Sequence, residues 1–287
     1  MHSISSFVCR VALLAAGLAL DLYGAQSSMT LMGVGGPSGS AAAVTWTTPQ
    51  SVFTGPGNCY LNSPTPTSGC SSRCTNAAAS CTTALYQATT AHTALAIYII
   101  TVGNTATIGS AYTCTSSSGC TSGNAVDTFT LTSGANHITN GSSGSNDNLD
   151  GAYVANGAGG ATYLTVNVSG DSGGTYLSVG LIEFQRSTGT PTYDASATTD
   201  SASCTSCTLA ALTLSGSNDA IAQLDDTDNS FTSNPSSPYQ YSLGNSTCSS
   251  TSAGACYVAA LGATNGNAPT ITQGSGGFMS ITALAFK

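Results

Sequence analysis

Tyr176-Leu-Ser-Val-Gly-Leu-Ile-Glu-Phe-Gln185 is the stretch from which the fold is read. It returns near the other end of the chain as Phe278-Met-Ser-Ile-Thr-Ala-Leu-Ala-Phe-Lys287. Tyr176/Phe278, Leu177/Met279, Ser178/Ser280, Val179/Ile281, Ile182/Leu284 and Phe184/Phe286 align. A Gly-rich stretch precedes each copy, Gly170–Gly174 and Gly274–Gly277, and is read as a turn. Before each turn lies a Thr/Val/Ile run, Thr162–Ser169 and Thr270–Gln273, and farther upstream stand Tyr153-Val-Ala and Tyr257-Val-Ala. Tyr153 and Tyr257 are 104 residues apart and Tyr176 and Phe278 are 102 apart, so the spacing holds across the segment. This predicts one hairpin used twice, each time closing half of an all-β body.

Working outward, strand signals recur at Ala94–Val102, Ala111–Thr115, Asp127–Thr132, Gly151–Ala155, Tyr163–Val168, Thr208–Leu214, Ala220–Leu224 and Cys256–Leu261, with turn residues between them. Leu95-Ala-Ile-Tyr-Ile-Ile100 is apolar on both faces, which suits a central strand. No helix-length 3.6-residue period runs through this half, which argues against a doubly wound α/β fold. The expected fold is an antiparallel β-sandwich, jelly-roll-like, with an internal duplication of the closing hairpin. One short helix is expected near 75–87, started by Thr75 or Asn76 and carried by Ala77-Ala-Ala. Residues 29–92 supply a leader, a first strand around Trp46 and a Cys-rich insert; residues 93–287 form the sandwich, in halves of about 93–190 and 191–287.

Only 6% of the residues are charged while 41% are hydrophobic, which disfavours disorder of the whole chain. The formal charge is −8, and the basic residues are Arg10, Arg73, Arg186 and Lys287. No basic stripe exists to neutralise phosphates or to hold an anionic membrane surface. Residues 1–28 read as a secretory signal, with the ten-residue apolar run Val11–Leu20 and a small-residue region at Gly24–Ser27. The mature chain contains no run of membrane-spanning length.

Setting Cys9 aside leaves ten cysteines, an even set that reads as disulfides in a secreted chain. Cys114/Cys120, Cys204/Cys207 and Cys248/Cys256 flank short polar loops and form local pairs. Cys59, Cys70, Cys74 and Cys81 supply two further bridges, with three connectivities open. A redox or zinc reading of Cys204-Thr-Ser-Cys207 would need a helix N-terminus or a second ligand pair.

The repeated Thr/Val strand, Gly/Ser turn and Ser-Val-x-x-Ile-Glu-Phe strand resemble secreted β-sandwich proteins of environmental bacteria, over roughly 93–287. The resemblance implies a jelly-roll-like module outside the cell and carries no catalytic residues. The second copy lacks the Glu, and the Cys-rich insert lies outside the pattern.

Candidate chemistry is sparse. Glu183 is the single glutamate of the chain. On an apolar strand face it could serve as a general acid, which would need an Asp partner across a cleft; the alternative is a carboxylate bonded to backbone N–H groups or paired with Arg186. Asn146, Asn148 and Asp150 precede Gly151 in the manner of a calcium loop, without the bidentate Glu at the twelfth position. Asp225, Asp226 and Asp228 form a second acidic cluster that a calcium ion would relieve or that is a solvated turn. Calcium is therefore the one cofactor to consider. His92 and His137 are the mature histidines, and no G-x-S-x-G accompanies them to build a Ser-His-Asp triad. Tyr239 and Tyr241, beside Pro235 and Pro238, read as an exposed ligand-contacting loop. The expected function is a secreted, non-catalytic structural or adhesive surface protein whose partner is itself or an extracellular surface. The alternative is a glycan-binding module, with calcium assistance; a carbohydrate-active enzyme using Glu183 ranks third.

Overall fold

A computed structural model describes residues 43–53, 59–60, 80–102, 107–132, 138–140, 147–169, 176–208, 212–227, 231–233, 239–244, 254–264 and 270–287. All regular structure in them is β, and all strand pairs are antiparallel. The first half contributes β1 (Trp46–Thr47), β2 (Ser51–Phe53), β3 (Cys59–Tyr60), β4 (Ser80–Ala84), β5 (Thr93–Val102), β6 (Thr107–Cys114), β7 (Asp127–Thr128), β8 (Thr130–Leu131), β9 (Ile138–Asn140), β10 (Asp147–Val154), β11 (Tyr163–Ser169) and β12 (Tyr176–Arg186). The second contributes β13 (Tyr193–Thr208), β14 (Asp219–Thr227), β15 (Phe231–Ser233), β16 (Tyr239–Gly244), β17 (Gly254–Ala263) and β18 (Thr270–Phe286).

The strands make three sheets. The first runs β3-β2-β12-β5-β10-β8, with β1 on β12 and β9 on β10; the second runs β4-β11-β6-β7; the third runs β13-β18-β14-β17-β16, with β15 on β18. β2, β12, β5 and β10 of the first sheet correspond in order to β13, β18, β14 and β17 of the third. Register fixes the equivalence. Phe184 faces Ala94 and Ile182 faces Ala96, as Phe286 faces Ala220 and Leu284 faces Ala222. The duplication is thus present as a repeated strand order.

Three details of the repeat differ from the sequence reading. The closing unit is not a hairpin: β11 pairs with β4 and β6 in the second sheet, whereas β12 pairs with β5, β2 and β1 in the first. In the second copy Gly274–Gly277 is not a turn but part of β18, which stays laddered to β13 at Gly277 through register shifts. Glycine lets the strand bend there without a side chain to clash. The equivalence at Tyr153 also slips by two: opposite Ala96 stands Tyr153, and opposite Ala222 stands Ala259 rather than Tyr257. An even slip keeps the same face and so preserves the pattern.

The first sheet is covered on both faces. One face packs on the second sheet through Leu95, Ile97, Ile99, Val179 and Leu181 against Ile108, Leu164, Val166 and Phe129. The other packs on the third sheet through Ala94, Ala96, Tyr98, Ile182 and Phe184 against Ala220, Ala222, Leu224, Leu284 and Phe286. These last two sets are the equivalent residues of the two copies, so the halves meet as an isologous pair would. The Phe184 and Phe286 rings lie 5.8 Å apart, and the Tyr98 hydroxyl donates to the Ala222 carbonyl at 2.7 Å. The expectation of a central strand at Leu95–Ile100 is met by β5. Both faces of the closing strand are buried: Ile281, Ala283 and Ala285 line a further cluster with Leu212 and Leu214.

Elsewhere local readings give way. The helix expected near 75–87 is absent over its described part, where Ser80–Ala84 is β4, paired to Val166 through Cys81. Alternating burial of Cys81 and Thr83 overrides the helix propensity of the alanines. Of the strand expected at Thr208–Leu214, Thr208 is the last residue of β13, residues 209–211 lie outside the described residues, and Leu212 and Leu214 are buried in a non-strand segment.

Phe184→Ala and Phe286→Ala should each lower unfolding stability by about 3–5 kcal/mol in denaturant titrations, as truncation of a buried ring does. Losses under about 1 kcal/mol would mean that the two sheets do not meet there.

Candidate functional site

Glu183 lies in β12 opposite Leu95, near the end of the strand, and it is fully buried. Gln50 Nε2 donates to Oε2 at 2.7 Å, and the Thr90 N–H donates to Oε1 at 2.7 Å. The Thr93 hydroxyl reaches Oε1 at 3.0 Å and also the Thr90 carbonyl at 2.7 Å. The Glu183 N–H in turn donates to the Gln50 carbonyl at 2.9 Å. The carboxylate is therefore a plug that satisfies donors at a chain corner. An interior group with its oxygens so engaged does not face a glycosidic bond, and the general-acid role for Glu183 is withdrawn on that ground.

The corner it plugs is closely interlocked. The Thr89 N–H donates to Ala161 O, the Gly160 N–H to Thr89 O, and the Gly157 N–H to Thr93 O. A Cβ on Gly159, whose φ is +79°, would collide with the Ala91 backbone. His92 holds a left-handed φ of 60° there, and its Nδ1 meets Asn156 Oδ1 at 3.2 Å. His92 is thus committed to the corner; His137 lies outside the described residues.

The two calcium readings lose their loops. From Asp147 on, the first is strand β10, in which Asn148 pairs with Thr101 and Thr139. Asp150 is buried, and its carboxylate accepts the N–H groups of Ile108 and Gly151, both at 2.8 Å. Asp225 and Asp226 are residues of strand β14, not of a loop; Asp225 is buried and accepts from Gln223 Nε2 at 2.8 Å. Asn146 and Asp228 lie outside the described residues. Among the described residues no group of three or more His, Cys, Asp and Glu side chains is placed to hold a metal. Tyr239 and Tyr241 belong to β16, paired with Ala260 and Ala259, rather than to a loop.

Cys114 and Cys120 are bonded, with their Cα atoms 5.4 Å apart, and staple the loop that lies over Thr82 and Thr165. Cys81 and Cys204 each take part in a disulfide as well, with partners outside the described side chains. Cys207 lies with Cys204 inside β13, not on either side of a loop; the side chains of Cys59, Cys207 and Cys256 and all of Cys70, Cys74 and Cys248 lie outside the described residues.

The most unusual chemistry sits where the sequence raised no flag. Asp194 and Asp219 meet at the ends of β13 and β14, beside Ser215 and Lys287. Lys287 Nζ lies 3.0 Å from Asp194 Oδ1 and 2.7 Å from Ser215 Oγ. The Ser215 N–H donates to Asp194 Oδ2 at 2.7 Å, and the Ser215 hydroxyl bonds Oδ1. Asp219 is 1% exposed, and no donor meets either of its buried oxygens in full hydrogen-bond geometry. A Cβ on Gly216 would overlap its carboxyl.

Two β-bulges deliver the pair. Tyr193 faces Phe286 and Ala195 faces Ala285, which leaves Asp194 as an extra residue in β13. Asp219 faces Ala263 and Ala220 faces Leu261, which leaves Gly262, at φ +76°, as the extra residue opposite. Such bulges re-aim side chains. Burial opposes ionisation of Asp194, but bonds from the Ser215 hydroxyl and N–H, from Lys287 and from Asp219 outweigh it and hold it well below the ordinary carboxylate range. Burial first, then the bond and charge of Asp194, push Asp219 up to about 7, against Lys287 and the Gly216 N–H.

Next door, the Trp46 indole donates to Asn218 O at 2.7 Å and carries the Arg186 guanidinium 5.7 Å from its ring centroid. Tyr153 and Tyr193 stack at 4.2 Å, edge-on to Phe286. The signals that could have found this cluster are Lys287, one of only four basic residues, and Asp219 directly ahead of an apolar strand.

Comparison of the chain with family models, curated proteins and solved structures gives no match. Among the described residues no helix is long and apolar enough to cross a membrane.

Glu183→Gln places an amide N–H₂ among donors. It should cost about 1–3 kcal/mol of stability in denaturant unfolding, as a buried donor left unsatisfied does. An unchanged midpoint would contradict the plug.

Proposed function

We propose that the chain is a secreted, non-catalytic structural or adhesive surface protein that associates with copies of itself through uncovered sheet edges. The observation that supports this reading is β13. Among the described residues it is paired on one side only, with β18. Its 16 residues amount to about 50 Å of strand. They include Asp194 and Asp200 but no Lys, Arg, Glu or Pro, the residues that usually protect an edge from a second chain. Bulges break the register near Tyr193 and beyond Ser201, and between them Ala195–Ser201 runs regularly against β18. β16, at the opposite edge of the same sheet, carries no charge at all. The resemblance to secreted surface β-sandwiches, the cysteine set and the low charge point to the same setting.

Glycan binding is the second reading, with Tyr239 and Tyr241 on edge strand β16 as its residues; a glycan array with calcium and with chelator decides it.

The purified mature chain should grow into larger particles as its concentration rises, followed by light scattering with calcium and with chelator. The double substitution Ser196→Lys and Thr198→Lys, at two half-buried β13 positions, should reduce that growth at least tenfold while circular dichroism stays that of a β protein. Growth equal to that of the parent chain would sink edge pairing at β13.

A further inference from the structure

The duplication supplies an internal comparison. By register Thr93 and Asp219 occupy the same place in the two copies, as do Gln185 and Lys287. In the first copy this corner holds Glu183, buried and met by Gln50, Thr90 and Thr93. In the second copy Ala285 replaces Glu183, and the corner instead holds Asp219, buried against a second carboxyl and met by no donor in full hydrogen-bond geometry. A corner that one copy closes with a satisfied carboxylate is closed in the other by two carboxyl groups.

We propose that Asp194 and Asp219 share one proton, and that this proton is a pH-sensitive latch joining the ends of β13, β14 and β18. Asp194 is the acceptor, because Ser215 and Lys287 already stabilise its charge. Asp219 is the donor, because it is buried against Asp194 with no donor in full hydrogen-bond geometry, and a neutral carboxyl supplies an O–H that Asp194 can accept. Lys287, from the end of β18, occupies the position at Asp194 that a bound cation would take, so what the pair lacks is a proton rather than a metal. The groups that face Asp219 are Asp194 from β13, Lys287 from the end of β18, and Ser215 and Gly216 from the segment ahead of β14. β17 brings Gly262 and Ala263, neither of which titrates. From the first sheet comes Trp46, bonded to Asn218 and carrying Arg186 on its ring. Loss of the proton places two like charges together in a site with one ammonium, and the three strand ends separate.

The sign follows from linkage. Asp219 has its folded pKa raised from the ordinary 3.8 to about 7, so the stabilisation is full below the ordinary value and is lost as pH rises to about 7. Asp194, held low, contributes in the opposite sense, and its share is lost on acidification below the ordinary carboxylate range.

The test is thermal unfolding of the full chain from about pH 5 to 8.5, beside Asp219→Asn, whose amide keeps a donor toward Asp194 but cannot ionise. The parent midpoint should fall by at least a few degrees from pH 5 to about 7 and level off above it, and the difference between parent and D219N should follow the same course. A parent and variant that change in parallel, or a parent that gains stability with pH, would overturn the proposal. Calcium that stabilises the parent but not D219N at the upper pH would also overturn it, by assigning the pair to a cation. If D219N does not fold, infrared spectroscopy of the parent chain decides. A protonated-carboxyl band present at the acid end and lost through neutrality supports the latch, and its absence throughout refutes it.

Discussion

The close approach of the first and third sheets is the contact on which the rest of the architecture depends. It is made by small residues, Ala94, Ala96, Ala220, Ala222 and Ala259, with Phe184 and Phe286 filling the space that the alanines leave at one end. Small and large residues alternate across the seam, which lets two sheets interdigitate without voids. Because the residues are equivalent in the two copies, one surface solves the packing problem for both. Tyr98 breaks the equivalence: Leu224 holds the matching position in the other copy, and the buried Tyr98 hydroxyl donates to the Ala222 carbonyl. A polar atom in an apolar seam needs such a partner, which favours one rotation of the sheets on each other.

Once that seam is closed, each copy must still cover its outer face, and here the copies diverge. In the first, Ile97 and Ile99 of β5 face a separate sheet. At the matching positions of β14 stand Gln223 and Asp225, buried and bonded to each other. The polar corner diverges in the same way, from Glu183 in one copy to Asp194 and Asp219 in the other. Burying such groups costs stability unless each finds a partner.

The parts of this architecture that could be read from residues alone are those built of large apolar side chains. β5, β12 and the end of β18 are dense in Ile, Leu, Val and Phe, and their alternation or two-sided burial shows directly. β13 is different. Its Ser/Thr/Ala sequence has no hydrophobic period, and it is a strand because β18 needs a partner along its length. Asp150 and Asp225 read as turn residues by composition. They lie in strands because backbone N–H groups or neighbouring side chains satisfy them, which no local rule anticipates. The Asp194–Asp219 pair was hidden for a third reason: residues 25 positions apart in sequence meet only because two bulges shift the register.

We propose that this protein, with few charges and with β13 paired on one side only among the described residues, meets its surroundings through backbone as much as through side chains. That is the central claim, and amide hydrogen exchange mapped along the strands at increasing protein concentration tests it most directly. The account predicts that amides of Ala195–Ser201 in β13 become more protected as concentration rises, while those of β5, already paired on both sides, do not change. Protection of β13 that is independent of concentration under conditions where particles grow would contradict it and move the contact to another surface.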